Sequence, residues 1–264
     1  MRKIIYVLLL FNLSLNAQNR LAIILDKDGY ANLREYPDLK SKILDTIKQN
    51  DFVYCDSLIK DWYKIWEYKW YRSGPNYGKQ KNGYVHKSRI RLIENLTIIE
   101  QQKIILKTLN DYNNFINERN AWYKDNYDIK TNSYKDSSGS IKNSYYSDAG
   151  FDITDNKFDP ILNFIETYYC KTHDIVVLNK LFSILYEDQG SANEQPAWSL
   201  GKCFVCFPTQ IIYMLSKMDK DKAHVVKGHI YFGLAMHFKV NPEDSVQTNK
   251  DYLKYIKMLE TKNK

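Results

Sequence analysis

The chain has 264 residues, 44% hydrophobic and 26% charged, a globular composition that excludes a wholly disordered protein. That length suits two modest domains, and an aromatic content of 14% with 22 Tyr supplies ample apolar surface for a core. The net charge of +7 is a weak argument for nucleic acid, because the excess is mostly Lys in a chain rich in Lys and Asn generally.

Arg2 and Lys3 precede an apolar run from Ile4 to Leu15, broken only by Asn12 and Ser14, and Ala17 supplies a small residue for cleavage. This is the layout of a secretory signal peptide over residues 1–17, with a buried apolar element as the plainer alternative. A helix needs about 20 apolar residues to span a bilayer, so the run is too short for an anchor. No Cys follows it to carry a lipid. Loss of Arg2 and Lys3 lowers the charge from +7 to +5. The expected localisation is periplasmic or secreted, with no nucleic-acid partner and no stable membrane anchor after cleavage. Cys55, Cys170, Cys203 and Cys206 then meet a compartment that permits disulfides, and three complete pairings stay open.

From Leu21 the chain reads as short strands. Ala31-Asn32-Leu33-Arg34 alternates apolar and polar, and Pro37-Asp38 closes it as a turn. Ser41–Ile47, Asp51–Tyr54 and Asp61–Ile65 follow, and Asn82-Gly83 introduces a fifth strand through Val85. Five short strands at this spacing predict a small β-barrel.

Within this stretch, "ANLREYPDLKSKILDTIKQNDFVY", "DWYKI" and "GYVHKSRI" stand in order, and residues 21–93 resemble a bacterial Src-homology-3 domain. Asn50 stands where the family pattern has Gly, Asp61 precedes Trp62, and Tyr84 replaces a second Trp. The resemblance implies a binding module for cell-wall peptides or for partner proteins of the envelope, without implying catalysis. It points to Tyr30, Trp62 and Tyr84 as the groove aromatics, the alternative being that they pack the barrel.

Trp62, Trp66, Tyr68 and Trp70 are separated by even steps, so an unbroken strand puts all four on one face with Ile65 opposite. Burial of this face against the second domain is preferred to stacking on sugar rings or gripping a peptide. Residues 72–81 form an enlarged loop beside it, a place for specificity.

The remaining 170 or so residues read as helical. Residues 96–123 carry Ile98, Ile105, Leu109, Tyr112, Phe115, Ile116 and Trp122 at helical spacing. Residues 124–158 are a polar Tyr-, Ser- and Asn-rich loop, with a small tyrosine hairpin as an alternative. An all-α domain follows over 159–264. Asp159-Pro160 is expected to cap one helix, Asp174–Glu187 to form a second and Cys203–Lys217 a third, started or kinked at Pro208. Asp221–Phe238 is a fourth, and Asn241-Pro242-Glu243-Asp244 begins a last one. Short connections favour antiparallel neighbours in a bundle or hairpin stack.

Cys170, His173, Cys203 and Cys206 fall in two pairs at x₂ spacing, the pattern of a tetrahedral zinc site. Their apolar setting favours inert burial or a disulfide instead, and a thioredoxin-like dithiol would need a βαβ context. Glu166, Glu187 and Glu194, and His224, His229 and His237, carry no catalytic pattern, and neither cofactor nor metal is expected. The fold class is therefore α+β multidomain, a small Src-homology-3-like barrel followed by an all-α domain. The expected function is non-enzymatic recognition of a peptidoglycan component or envelope protein through Tyr30, Trp62, Trp66, Tyr68, Trp70 and Tyr84. The alternative is a cell-wall hydrolase with its catalytic site in the helical domain.

Overall fold

The computed structural model describes residues 20–66, 82–128, 130–131, 133–134, 149–150, 152–187, 194–241 and 249–260. The proposed signal peptide, Tyr68, Trp70 and the enlarged loop lie outside them. The chain divides after Thr97 into two compact units.

The first unit is a sheet of seven strands, two more than the five read from the sequence. They are β1 (Arg20–Ile24), β2 (Tyr30–Arg34), β3 (Ile43–Lys48), β4 (Phe52–Ile59), β5 (Trp62–Trp66), β6 (Gly83–His86) and β7 (Ile90–Leu92). Every pairing is antiparallel, in the order β3-β2-β6-β5-β4-β1-β7, and the sheet is open, with β3 and β7 at its ends. The additional strands are β1 and β7. They pair with each other, Ala22 opposite Leu92 and Ile24 opposite Ile90, across nearly the whole unit.

Alternation builds the core. Ile24, Leu33, Ile47, Val53, Ile65 and Val85 are wholly buried in one cluster, each contributing roughly 1.5–3 kcal/mol. Cys55 belongs to the same cluster, and burial pushes its thiol pKa up to about 12. Gly83 is required where β6 meets β2, because a Cβ there would lie 2.6 Å from the Arg34 carbonyl.

The second unit contains seven α-helices among the described residues. They are α1 (Ile98–Asn126), α2 (Asp159–Thr172), α3 (Ile175–Glu187), α4 (Gln195–Cys206), α5 (Pro208–Lys217), α6 (Lys220–Phe238) and α7 (Lys250–Glu260). On α1, Ile105, Leu109, Tyr112 and Ile116 are buried, as their spacing predicts.

Helix α1 runs three residues past the expected end, closed by Asn126 Nδ2 donating to the Trp122 carbonyl at 2.9 Å. A two-residue ladder then joins β8 (Tyr127–Asp128) to β9 (Ser133–Tyr134), so a short tyrosine hairpin stands at the head of the segment read as loop. That segment also ends in regular structure. A π-helical turn, Thr154–Phe158, enters α2 directly, and Asp159 lies inside the helix rather than capping it. Phe158 makes this continuation favourable by stacking on buried Tyr112, centroids 3.7 Å apart.

Asp174 caps α3 through Oδ1, which accepts from Val176 and Val177, while Oδ2 accepts from Gln102 and Tyr168. The single helix expected over Cys203–Lys217 is two. Phe207 leaves the helical region (φ −148°, ψ 69°), and Pro208 then starts α5. Asp219 caps α6 and Asn249 caps α7, whereas the start expected at Asn241-Pro242-Glu243-Asp244 runs into undescribed residues.

Candidate functional site

In β2, Ala31 and Leu33 are buried, so Tyr30, Asn32 and Arg34 take the other face. Arg34 lies opposite Tyr84 in the β2–β6 ladder, and Trp62 lies opposite His86 in β5–β6. Directly opposed residues share a face, so Tyr30, Arg34, Trp62, Tyr84 and His86 all project away from the Ile65–Val85 core.

On this face the sheet holds a cavity of about 130 Å³, lined in part by Tyr30, Arg34, Leu39, Trp62, His86 and Arg89. Trp62 meets His86 edge to face, centroids 5.1 Å apart, and is only 7% exposed, whereas Tyr30 is 47% exposed at the rim. Two of the expected residues, Tyr30 and Trp62, are thus brought together. Tyr84 shares their face without lining the cavity. Trp66 ends β5 opposite Tyr54.

The two arginines of the cavity differ in their pairing. The Arg89 guanidinium binds both oxygens of Asp26 and also Asp28, at 2.8 Å. Asp26 is buried and accepts the Asp28 backbone N–H at 2.8 Å, which shapes the turn to Gly29 at φ +81°. Hydrogen bonding to Arg89 holds the Asp26 carboxyl below its ordinary pKa of 3.8, against the opposing effect of burial. Arg34 instead donates from Nη1 to the Ser41 carbonyl at 2.7 Å, and among the described residues no carboxylate pairs with it. The Ser41 hydroxyl accepts from the Tyr36 backbone N–H at 2.8 Å, fixing the loop that carries Leu39.

The Asp26–Arg89 pair sets the acid stability of this unit. A depressed folded pKa gives a contribution that is complete above the unfolded value near 3.8 and is lost as pH falls through the lower folded value. Arg89→Ala strands a buried charge, and the expected cost at neutral pH is about 3 kcal/mol. In the variant, acidification protonates the stranded Asp26 and relieves part of that cost. Urea unfolding over a pH series reads both effects, and an unchanged acid limb in the variant contradicts this assignment.

In the helical unit, α2 and α4 run parallel and are joined at three levels. Gln195 donates to Asn163 at 2.7 Å, Lys202 pairs with Glu166 at 2.8 Å, and Cys170 is disulfide-bonded to Cys206 with Cα atoms 5.4 Å apart. The disulfide takes two of the four zinc candidates. The thiol of Cys203 is wholly buried, and His173 stacks flat on Phe207, centroids 4.2 Å apart. The four side chains therefore do not converge on one point, and among the described residues no group of three His, Cys, Asp or Glu is placed to hold a metal.

His173 ends α2 in the left-handed conformation, φ 54°. Its carbonyl accepts from Gln210, whose Oε1 accepts in turn from the Tyr169 hydroxyl. Burial pushes the Glu166 carboxyl above its ordinary range, an effect the nearby Lys202 and Ser199 only partly offset. Glu187, Glu194, His224 and His237 are exposed.

The cavity residues that sequence reasoning missed are Arg34, Leu39, His86 and Arg89. Arg34 was within reach, since it alternates in phase with Tyr30. Comparison with family models, with curated proteins and with solved structures finds no match to this chain.

Proposed function

We propose that the chain is an exported, non-enzymatic protein of the cell envelope. Its N-terminal unit is a Src-homology-3-like module that binds a peptidoglycan component or an envelope protein, and its helical unit is an interaction domain. The observation that carries this reading is the cavity between Tyr30, Trp62 and His86, an aromatic recess on the face of the sheet opposite its core.

Two further observations support it. Asn50 has φ +67°, a backbone that favours Gly and tolerates Asn, which accounts for Asn standing at the Gly position of the family pattern. The Cys170–Cys206 bridge suits an oxidising compartment, as export requires.

The test is retention on purified peptidoglycan. Tyr30→Ala and Trp62→Phe are expected to lower retention by about tenfold or more, the scale of an aromatic anchor at an interface centre, with melting temperatures close to wild type. Equal retention of the wild type and both variants, or none for any, overturns the peptidoglycan form of the proposal.

A further inference from the structure

We infer that the cavity recognises a free carboxylate, and specifically the terminal carboxylate of a peptide whose last side chain is small and apolar, with Arg34 as the residue that reads it. The inference rests on the binding-module reading above and names the chemistry of the ligand.

The contrast between the two arginines carries the argument. Both line the same recess. Arg89 faces two carboxylates, Asp26 and Asp28, so its charge is more than neutralised within the protein. Arg34 has none among the described residues, and its side chain donates instead to the neutral Ser41 carbonyl. That single bond fixes the guanidinium through Nη1 and leaves other donors of the fork for a ligand. A half-buried arginine held this way is prepared for a planar anion that accepts two parallel N–H bonds, which is carboxylate geometry.

Charge selects among anions. Arg89 with Asp26 and Asp28 carries one net negative charge, and Arg34 carries one positive charge. The site as a whole is neutral, so a monoanion on Arg34 is accommodated, whereas a phosphate dianion meets the exposed Asp28 carboxylate. Size selects the rest. A recess of about 130 Å³ suits one small residue, and Trp62, Leu39 and Tyr30 offer that residue apolar walls.

The experiment titrates the full-length mature protein with acetyl-Ala-Ala-Ala as the free acid and as the C-terminal amide, in all-L and all-D forms, following the Trp62 indole by NMR. In at least one stereochemical series the acid is expected to bind at least about tenfold more tightly than the amide, the size of one charge-assisted contact. Arg34→Gln is expected to abolish that preference, and Arg34→Lys to restore only part of it, with both variants melting near wild type. Acid and amide binding alike, or a preference that survives in Arg34→Gln, overturns the inference. So does inorganic phosphate binding more tightly than the peptide acid. If amidation makes no difference while peptidoglycan is still retained through Tyr30 and Trp62, the carboxylate inference fails and the module reading stands. If neither peptides nor peptidoglycan bind, both fail.

Discussion

Replacing Cys170 and Cys206 by Ser is expected to lower the stability of the helical unit by roughly 3–4 kcal/mol, the chain-entropy value for a closed loop of this size. The bridge spans 36 residues of sequence, and that span includes all of α3. It ties the C-terminal turn of α2 to the last residue of α4, just before the non-helical Phe207 that separates α4 from α5.

The other two links between the parallel helices are weaker. Lys202–Glu166 is partly exposed on the lysine side and bears the desolvation of a half-buried carboxylate, and Gln195–Asn163 is an exposed amide pair. The disulfide is therefore the dominant constraint. Because Cys206 is exposed, a reductant should reproduce the loss in the wild type. Cys203→Ala is the control, since its buried thiol takes no part in the bridge and the variant should keep the reductant sensitivity. Denaturant unfolding followed by far-UV circular dichroism reads the effect. A loss below about 1 kcal/mol contradicts the expectation.

Gly233→Ala and Gly201→Ala are each expected to destabilise the same unit by roughly 3 kcal/mol or more, at the upper end for overpacking. Helices α4 and α6 cross at these two glycines. A Cβ on Gly233 would lie 2.0 Å from the Ala197 carbonyl oxygen, and one on Gly201 would lie 2.3 Å from the Gly233 carbonyl carbon. Both obstacles are backbone, so no rotamer change removes them and the helices must separate. The gain in helix propensity from Gly to Ala, about 1 kcal/mol, is too small to offset this.

Because the two sites share one contact, the double variant should cost less than the sum of the singles. Gly228→Ala on the same helix provides the control. A Cβ there meets nothing within 4 Å, so propensity acts alone and the variant should be neutral or more stable by about 0.5–1 kcal/mol. Near-wild-type unfolding of Gly233→Ala would show that the crossing is looser than this geometry requires.

The residues legible in the sequence are those governed by local chemistry. Ala31 and Leu33 alternate with Tyr30, Asn32 and Arg34, and this period separates core from cavity directly. The φ preference of Pro208 allows it to start or kink a helix, and it starts α5, whereas the Asp219 cap lies two residues before the start expected at Asp221.

What escaped depends on partners distant in the chain. Strands β1 and β7 are three to five residues long and stand as strands because Ala22 and Ile24 meet Leu92 and Ile90. The cysteine pairing depends on α2 and α4 running parallel, which brings Cys170 to Cys206 and turns Cys203 into the core; nothing in the x₂ spacing encodes that direction. Arg34 and Arg89 are the same residue type on one recess, and only the turn carrying Asp26 and Asp28 gives one of them carboxylate partners while the other meets a neutral carbonyl. The glycine crossing is likewise invisible until α4 and α6 are placed together.

The recess between β2, β5 and β6 is the proposed binding site for an envelope ligand. Amide and indole chemical-shift mapping of the full chain with soluble peptidoglycan fragments reads ligand contact there residue by residue. Saturable shifts concentrated on Tyr30, Arg34, the Trp62 indole and His86 are expected, with their loss in Tyr30→Ala. Shifts confined to the helical unit, or none at saturating fragment, would contradict this placement.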